Sequence, residues 1–339
     1  MRFKLIFVDP VYDPSGADRN DIKRHLLLAR QNGIECKLLS QRLQANNRVV
    51  RLLFSLLFSF KLMFFCVCYR AISKRRALVY FTTLNPYTKY FDLLITKVCG
   101  FEIIAHVHRI NKHTKRLAMP FVDYFFVTEK CIKDELILLT DRKIFCYNFY
   151  DNEFSEVEPN IVKLRGRCTV AFVGAIRKEK GISEFLDFVE KSHHKRLDFL
   201  LQGEMVDVDS LTDDRINDLV RNGVLKFKKG FIPADQYVQV LAGFDYIMLP
   251  YNSESYYCRG SAMIYELVDL GVSYLAPNIG VFKYYADKFS IGTTYDSLDG
   301  LAEKIMENKS SDFSAARRYL VDHSYKEKYQ EFIAELHMD

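Results

Sequence analysis

Short apolar runs alternate with helix-like segments along almost the whole chain, and this alternation limits the fold more than any other feature of the sequence. Examples are FKLIFVDP at residues 3–10 and CTVAFVG at residues 168–174. A strand that is apolar on both faces must be covered on both faces, which is typical of parallel sheets flanked by helices. Between the runs, apolar residues recur at helical spacing, as in Ile22, Leu26 and Ala29. The sequence therefore predicts an α/β fold built from parallel sheets.

The alternation loosens once, at residues 151–167, where the sequence DNEFSEVEPNIVKLRGR is polar and contains Pro159. A new apolar run follows directly, and 339 residues are enough for two domains of ordinary size. We therefore predict a Rossmann-like domain over residues 1–157 and a second one over 158–322. We expect a last helix, within 323–339, to pack back toward the first domain. Ligands of such sheets bind beyond the carboxyl ends of the strands, so we expect a ligand in the cleft between the domains.

The composition excludes several classes of protein. The chain is 49% hydrophobic and 27% charged, as in an average soluble protein. Its net charge of +5 suits an anionic ligand or membrane surface, but it lacks the dense basic block of a nucleic-acid-binding protein. Eight cysteines form no C-x-x-C pair, which favours reduced thiols and a cytoplasmic protein. The apolar part of the opening MRFKLIFVDP is too short for a signal peptide, and we predict a first strand there.

One helix-like segment is far more apolar than the others. Residues 49–70 read VVRLLFSLLFSFKLMFFCVCYR, and Lys61 is the one charge between Arg51 and Arg70. That stretch would measure about 27 Å as a helix, close to the thickness of a bilayer core, but a central charge costs about 2.5–3.5 kcal/mol. Three interpretations stay open: a buried or domain-surface helix, a helix lying in a membrane face, or a true span. Because a basic run follows, we expect peripheral membrane contact through residues 49–76, at the inner face of the cell membrane.

The segment AFVGAIRKEKGISEFLDF, residues 171–188, concentrates positive charge where a strand turns into a helix. Gly174 permits a sharp turn after the strand, and the helix is predicted to begin near Gly181. The helix start offers free amides and the positive end of a dipole, to which Arg177 and Lys180 add full charges. This arrangement costs stability unless an anion such as a diphosphate is bound. The alternative interpretation is a solvated basic loop before an ordinary surface helix.

A second candidate segment, LPYNSESYYCRGSAMIYELVDLGVSYLAP, covers residues 249–277. Here a helix is predicted to begin after Gly260, with Ser261 as its N-cap. The amides of Gly260, Ser261 and Ala262 are candidates for binding phosphate oxygens, and Glu266 is a candidate for accepting two ribose hydroxyls. The alternative interpretation is a helix cap with a glutamate on the surface.

Together, these segments resemble the nucleotide-sugar domain of retaining GT-B glycosyltransferases, the family-4 or glycosyltransferase group 1 proteins. The strand LDFLLQG, which ends at Gly203, resembles a family strand that ends in glycine, and residues 227–251 resemble a further family segment. Glu266 matches the second of two family glutamates. The family's V-G-R-L and K-G pattern is matched by Val173, Gly174, Ile176, Lys180 and Gly181.

Two positions depart from the family pattern. Ala175 stands where the family has an arginine, with Arg177 as the nearest substitute, and Cys258 stands where the family has its first glutamate. These departures favour one alternative interpretation, a catalytically silent homologue that binds partners in a glycan-assembly complex. A GT-B nucleotide-sugar epimerase is a second alternative. A nicotinamide-dependent enzyme is disfavoured, because no G-x-G-x-x-G motif follows the first strand.

The resemblance implies two Rossmann-like domains that face each other across a cleft. It also implies transfer of a sugar from a nucleoside-diphosphate-sugar to a glycan or lipid-linked glycan, in bacterial surface polysaccharide synthesis, with retention of configuration and without a metal or other cofactor. The catalytic residues that it implies are Lys180, Arg177, His108 and Glu266. The donor-binding residues that it implies are Gly174, Gly203, Phe231, Ile232, Gly260, Ser261, Ala262 and Glu266. On the acceptor side it implies Ser15, Gly16 and His108.

Three histidines, His106, His108 and His113, lie close together in the sequence and need a separate interpretation. No carboxylate or cysteine nearby completes a ligand set, so we expect no metal site. The resemblance places the acceptor-side histidine at His108, while the alternative is a hydrogen-bonded residue at a strand end.

Overall fold

Two compact units divide the chain in the computed structural model. We name Met1–Phe149 together with His323–Asp339 the N-terminal unit, and Tyr150–Asp322 the C-terminal unit. The domain boundary expected at residue 157 lies outside the described residues. The structure describes residues 4–9, 18–40, 48–73, 76–82, 89–110, 119–150, 167–193, 195–307, 311 and 313–337.

The N-terminal unit contains, among its described residues, a six-stranded parallel sheet. The strands are β1 Lys4–Asp9, β2 Glu35–Ser40, β3 Ala77–Phe81, β4 Glu102–His106, β5 Tyr124–Val127 and β6 Lys143–Cys146. In β1, Leu5, Ile6, Phe7 and Val8 are fully buried, so the apolar run is covered on both faces as expected. The strand order is β2-β1-β3-β4-β5-β6. The strands after β1 are thus added first on one side of it and then on the other, so the switch point lies between β1 and β3.

In the described part of the N-terminal unit, helices and a short 3₁₀ turn, Met119–Phe121, connect the strands. The last helix buries Tyr329, Phe332 and Leu336 in the same apolar cluster as Phe7 of β1. The helices are α1 Asp18–Gln31, α2 Arg48–Ile72, α3 Lys89–Val98, α4 Lys130–Ile137 and, at the end of the chain, α13 Tyr329–His337.

The C-terminal unit contains a second parallel sheet of six strands in its described part, and a two-stranded parallel sheet beside it. The strands are β7 Cys168–Val173, β8 Ile176–Arg177, β9 Leu197–Gly203, β10 Met205–Asp207, β11 Leu225–Lys229, β12 Tyr246–Met248, β13 Ser273–Pro277 and β14 Gly292–Tyr295. The large sheet has the order β11-β9-β7-β12-β13-β14, and β8 pairs with β10. The switch point of the strand order lies between β7 and β12, and open α/β sheets bind ligands at such switch points.

The helices of the C-terminal unit cover this sheet. Helix α5 buries Ile182, Phe185, Leu186 and Val189, which confirms the helical spacing read from the sequence. The helices are α5 Ile182–Ser192, α6 Ser210–Arg221, α7 Ala234–Ala242, α8 Ser253–Tyr256, α9 Ala262–Leu270, α10 Gly280–Phe289, α11 Leu301–Glu307 and α12 Ser314–Asp322. Two parallel sheets covered by helices confirm the predicted α/β class, with one Rossmann-like sheet in each unit.

Candidate functional site

Glycines bring four backbone segments unusually close together at the carboxyl end of β7. A Cβ atom on Gly203 would lie 1.7 Å from the carbonyl oxygen of Gly174, and one on Gly181 would lie 1.6 Å from that of Pro250. Gly174 and Gly181 also have positive φ angles, of 115° and 75°, which side chains disfavour. The ends of β7, β9 and β12 and the start of α5 therefore meet at the point where the strand order reverses.

Basic side chains converge on this point from two loops. Burial, followed by the positive charges of Arg177 and Arg259, lowers the pKa of Lys180. The Nζ atom of Lys180 lies 5.7 Å from the ring centroid of Tyr251, and Arg177 pairs with Glu179 at 3.1 Å. The buried Nε of Arg177 has no hydrogen-bond partner. We name Arg177, Lys180 and Arg259 the cation group; its members repel one another, so the site favours a bound anion.

Between β7 and α5, the structure has a short strand and a 3₁₀ turn where the sequence predicted a loop. Arg177 lies in β8, which pairs with β10, and Lys180 ends a 3₁₀ turn, Lys178–Lys180, before Gly181 caps α5. The 3₁₀ turn brings Lys180 under the end of β7, where its Nζ lies 3.5 Å from the position of a Cβ on Gly174. The pairing of β8 with β10 therefore positions Arg177, and the 3₁₀ turn positions Lys180.

Helix α9 begins beside the same loops. Ser261 is its N-cap residue and is 8% exposed, but its side chain makes no capping hydrogen bond. Instead, a hydrogen bond with Ser261 lowers the pKa of Tyr251, although burial of Tyr251 has the larger effect and raises that pKa. Because Ser261 does not cap the helix, the first-turn amides around Ala262 are the groups that a ligand could use. Gly260 precedes Ser261 in the chain.

Glu266 is more enclosed than a surface glutamate. Its carboxylate accepts a hydrogen bond from the hydroxyl of Tyr237, on α7, at 2.6 Å. Burial raises the pKa of Glu266, while the Tyr237 hydrogen bond and the charge of Lys180 partly oppose this. Glu266 and Lys180 affect each other's pKa, and Gly181 packs against Pro250, so the two predicted segments lie next to each other.

The loop after β11 joins the site through its backbone. The amide of Gly230 donates to the carbonyl of Gly203 at 2.9 Å, which holds the start of the loop against the end of β9. Phe231, the next residue, is 64% exposed, and Ile232 is half-buried. An exposed aromatic ring beside the site is available to pack against a flat ligand group.

His108 is the predicted acceptor-side residue that the structure describes, and it lies in the N-terminal unit. His108 follows β4, and its Nε2 lies 2.9 Å from the carbonyl oxygen of Thr82. The ring centroids of His108 and His106 are 3.8 Å apart. Burial lowers the pKa of His106 well below its usual value and that of His25 to about 3, with the charge of His108 as a second cause in both. Within the described residues, no group of three or more possible ligands is arranged to hold a metal ion. Ser15 and Gly16 lie outside the described residues.

Comparisons with known proteins identify the fold. No family model matches the chain, and no curated protein matches it. Among solved structures, HepE from Anabaena in complex with UDP is 17% identical with a TM-score of 0.67, over 98% of this chain and 99% of that one. The lipopolysaccharide outer core galactosyltransferase WaaB, in its apo form, is 13% identical with a TM-score of 0.72, over 98% of this chain and 99% of WaaB. WaaG, a glycosyltransferase involved in lipopolysaccharide biosynthesis, is 13% identical with a TM-score of 0.64, over 98% of this chain and 99% of WaaG.

These solved structures are GT-B glycosyltransferases. The chain therefore has the GT-B fold, with one Rossmann-like sheet in each of its two units. At such low identity, the likeness identifies the fold, and the residues of the site must carry any argument about activity.

Proposed function

We propose that the chain is a glycosyltransferase that moves a sugar from a nucleoside-diphosphate-sugar to a glycan or lipid-linked glycan. The observation that carries this proposal is the cation group, which lies at the switch point of the C-terminal sheet with a depressed Lys180 pKa. Glu179 and Glu266 offset part of this positive charge, and a bound diphosphate would offset the rest. The structures of HepE in complex with UDP and with UDP-glucose support a nucleotide-sugar as the donor.

Each residue of the site has a distinct part in the proposed reaction. Negative charge grows on the departing diphosphate, and Lys180 and Arg177 stabilise it, which typically contributes about 2.7–4 kcal/mol per preorganised donor. Glu266 accepts ribose hydroxyls through its carboxylate, which the Tyr237 hydroxyl holds in place. The amides around Ser261 receive phosphate oxygens. Because cations and amides take this charge, the proposed transfer uses no metal ion, and we propose that it retains the anomeric configuration.

The acceptor is proposed from other observations. WaaB and WaaG are named for lipopolysaccharide synthesis, which supports a role in bacterial surface polysaccharide synthesis. A lipid-linked acceptor suits the apolar helix α2, and His108 is proposed to lie on the acceptor side. We propose a cytoplasmic protein that works at the inner face of the membrane.

A thermal-shift panel of nucleotides and nucleotide-sugars tests the donor site. A ligand at 100 times its dissociation constant stabilises the folded protein by about 2.7 kcal/mol. We expect nucleoside diphosphates to raise the melting temperature of the wild type, and Lys180→Met to lose that shift. Lys178→Met is the matched control, because Lys178 lies in the same 3₁₀ turn with an exposed side chain. An equal shift in wild type and Lys180→Met would overturn the phosphate assignment.

Turnover of the donor that binds then separates the three candidate activities. A transferase releases nucleoside diphosphate faster when a suitable acceptor is present. Release of free sugar at the same rate without acceptor would favour the epimerase. Tight binding without any turnover would favour the silent homologue that binds partners in a glycan-assembly complex.

A further inference from the structure

Helix α2 has its polar stripe on the inside and its apolar face on the outside, the reverse of an ordinary surface helix. Ser59 is fully buried, and its hydroxyl bonds to the buried carboxylate of Asp92 on α3. Ser55 and Cys66 lie on the same stripe and are 2% and 0% exposed. The small polar residues Ser55 and Ser59 therefore face the protein beside Phe58 and Leu62, and most of the other large apolar side chains of α2 are exposed.

The outward face of α2 is a continuous apolar stripe. Phe64 is 71% exposed, which is unusual for a phenylalanine in a folded domain. We name the following residues the α2 stripe; from first to last they extend about 27 Å along the helix: Val49, Leu53, Leu56, Leu57, Phe60, Phe64 and Val67. Large contiguous apolar surfaces are rare on soluble monomers and mark binding surfaces, so the stripe is a candidate binding surface.

The charges around the stripe identify the chemistry of a partner. No acidic residue occurs between Glu35 and Asp92. The exposed Lys61 lies on the flank of the helix, and the Lys37 amine lies 4.6 Å from the ring centroid of Phe65. A second copy of the same surface would bring these basic groups against one another. A membrane surface with anionic lipids instead provides acyl chains for the stripe and negative headgroups for its basic border.

The contacts of α2 with the rest of its unit decide how it meets the membrane. Within the described residues, Leu52–Ile72 is the helical segment long and apolar enough to cross a bilayer, with a mean hydropathy of 2.1. However, Ser59 is bonded to Asp92, and the Arg70 guanidinium donates to the carbonyl of Cys99 at 3.1 Å. Spanning would break these contacts and carry the serines and Lys61 into hydrocarbon.

We propose that α2 lies in the plane of an anionic membrane surface and inserts its stripe into one leaflet while its polar stripe stays bonded to the protein. This mode of attachment follows from α2 alone, so it stands or falls separately from the nucleotide site. It selects the helix lying in a membrane face from the three interpretations that the sequence left open.

Tryptophan reporters can measure the orientation directly, because the chain contains no tryptophan. The variants Leu53→Trp, Phe60→Trp and Val67→Trp place one reporter each at the start, middle and end of the stripe. With vesicles of phosphatidylcholine and about 30% phosphatidylglycerol, we expect all three to shift to the blue and to be quenched by lipids brominated at the same shallow depth. Leu138→Trp, at a residue 79% exposed in the same unit, is the control and should not respond.

The three reporters distinguish the possible orientations. A Phe60→Trp reporter near the bilayer centre, with the two outer reporters at opposite interfaces, would show a span and overturn the proposal. The absence of a blue shift in all three would exclude the membrane as the partner.

Binding to the same vesicles provides a second measurement. We expect Phe60→Ser combined with Phe64→Ser to weaken vesicle binding by about 30-fold or more, since two exposed aromatic side chains are lost. Ile137→Ser combined with Leu138→Ser is the matched control, because both residues are exposed on α4 or directly after it. Circular dichroism checks that both double variants stay folded. Unchanged binding in the phenylalanine variant, or a lipid-free dimer of the wild type that this variant abolishes, would overturn the proposal.

Discussion

Replacing Gly203 by alanine tests how the candidate site is built. The added Cβ would lie 1.7 Å from the carbonyl oxygen of Gly174, a distance that real Cβ atoms essentially never show. One of the two strand ends must therefore move by about 1 Å or more, because a packed interior has no free space to absorb the atom. Gly174 leads from β7 toward Lys180, so the displacement reaches the cation group.

The energetic cost follows from the backbone hydrogen bonds that hold these strand ends. Three backbone hydrogen bonds connect these strand ends. They are 2.8–3.0 Å long, and each contributes about 0.5–1.5 kcal/mol net to the free energy of unfolding. Their combined loss predicts a destabilisation of about 2–4 kcal/mol. The bonds run from the amides of Gly174, Ile176 and Gly230 to the carbonyls of Gln202, Glu204 and Gly203.

Urea unfolding and nucleotide-induced thermal shifts measure the two consequences. In a unit of this size, such a loss lowers the melting temperature by about 4–15 °C. Nucleoside diphosphate should also lose most of its stabilising effect, since misplacement by about 1 Å can cost a hundredfold in a preorganised site. Gly243→Ala is the control, because its nearest neighbour, the Val240 carbonyl oxygen, would be 3.3 Å away. Wild-type stability and wild-type nucleotide response in Gly203→Ala would refute the reasoning.

Three further predictions concern charge, positioning and backbone conformation. Because the folded-state pKa of Lys180 is lowered, the unfolded chain binds more protons between that value and 10.5, so the ligand-free protein should gain stability as pH rises through this window. Urea unfolding should show a smaller gain for Lys180→Met. Tyr237→Phe removes a hydrogen bond to the Glu266 carboxylate and should raise the pKa of Glu266 further. As the pH is lowered, the variant should therefore lose nucleoside diphosphate binding at a higher pH than the wild type does. Calorimetry measures this binding, and pyrophosphate binding should stay unchanged. Ser290→Gly should stabilise the protein by about 0.5–1 kcal/mol in thermal unfolding, since Ser290 has a φ of 54° at the end of α10.

The sequence predicts those parts of the molecule that depend on local pattern. The apolar run before Gly174 and the spacing of Ile182 and Phe185 are enough to locate β7 and α5. Local charge likewise identifies Lys180, because a lysine beside a helix start is unfavourable without a ligand. These features are predictable because each depends on residues within two helical turns.

Long-range contacts account for what the sequence could not predict. The Tyr237 hydroxyl on α7 donates to Glu266 on α9, 29 positions later in the chain, and no local pattern in α7 indicates this contact. Arg259 joins the cation group through a loop whose conformation follows from packing, where it stacks 4.6 Å from the ring centroid of Tyr256. In α2, periodicity locates the polar stripe that contains Ser59, but only the contact with α3 shows that this stripe faces inward.

The two positions that differ from the pattern expected by resemblance change the charge of the proposed site in opposite directions. Ala175 removes a positive charge that the resemblance leads one to expect, and Cys258 removes a negative one. Cys258 is 4% exposed, so a carboxylate there would be buried beside Arg259 and would neutralise part of the cation group. The neutral thiol leaves the charge of Arg259 available, and Arg259 acts on Lys180 as Arg177 does. The two differences from the resembled pattern therefore offset each other in charge, which is consistent with the diphosphate site that we propose.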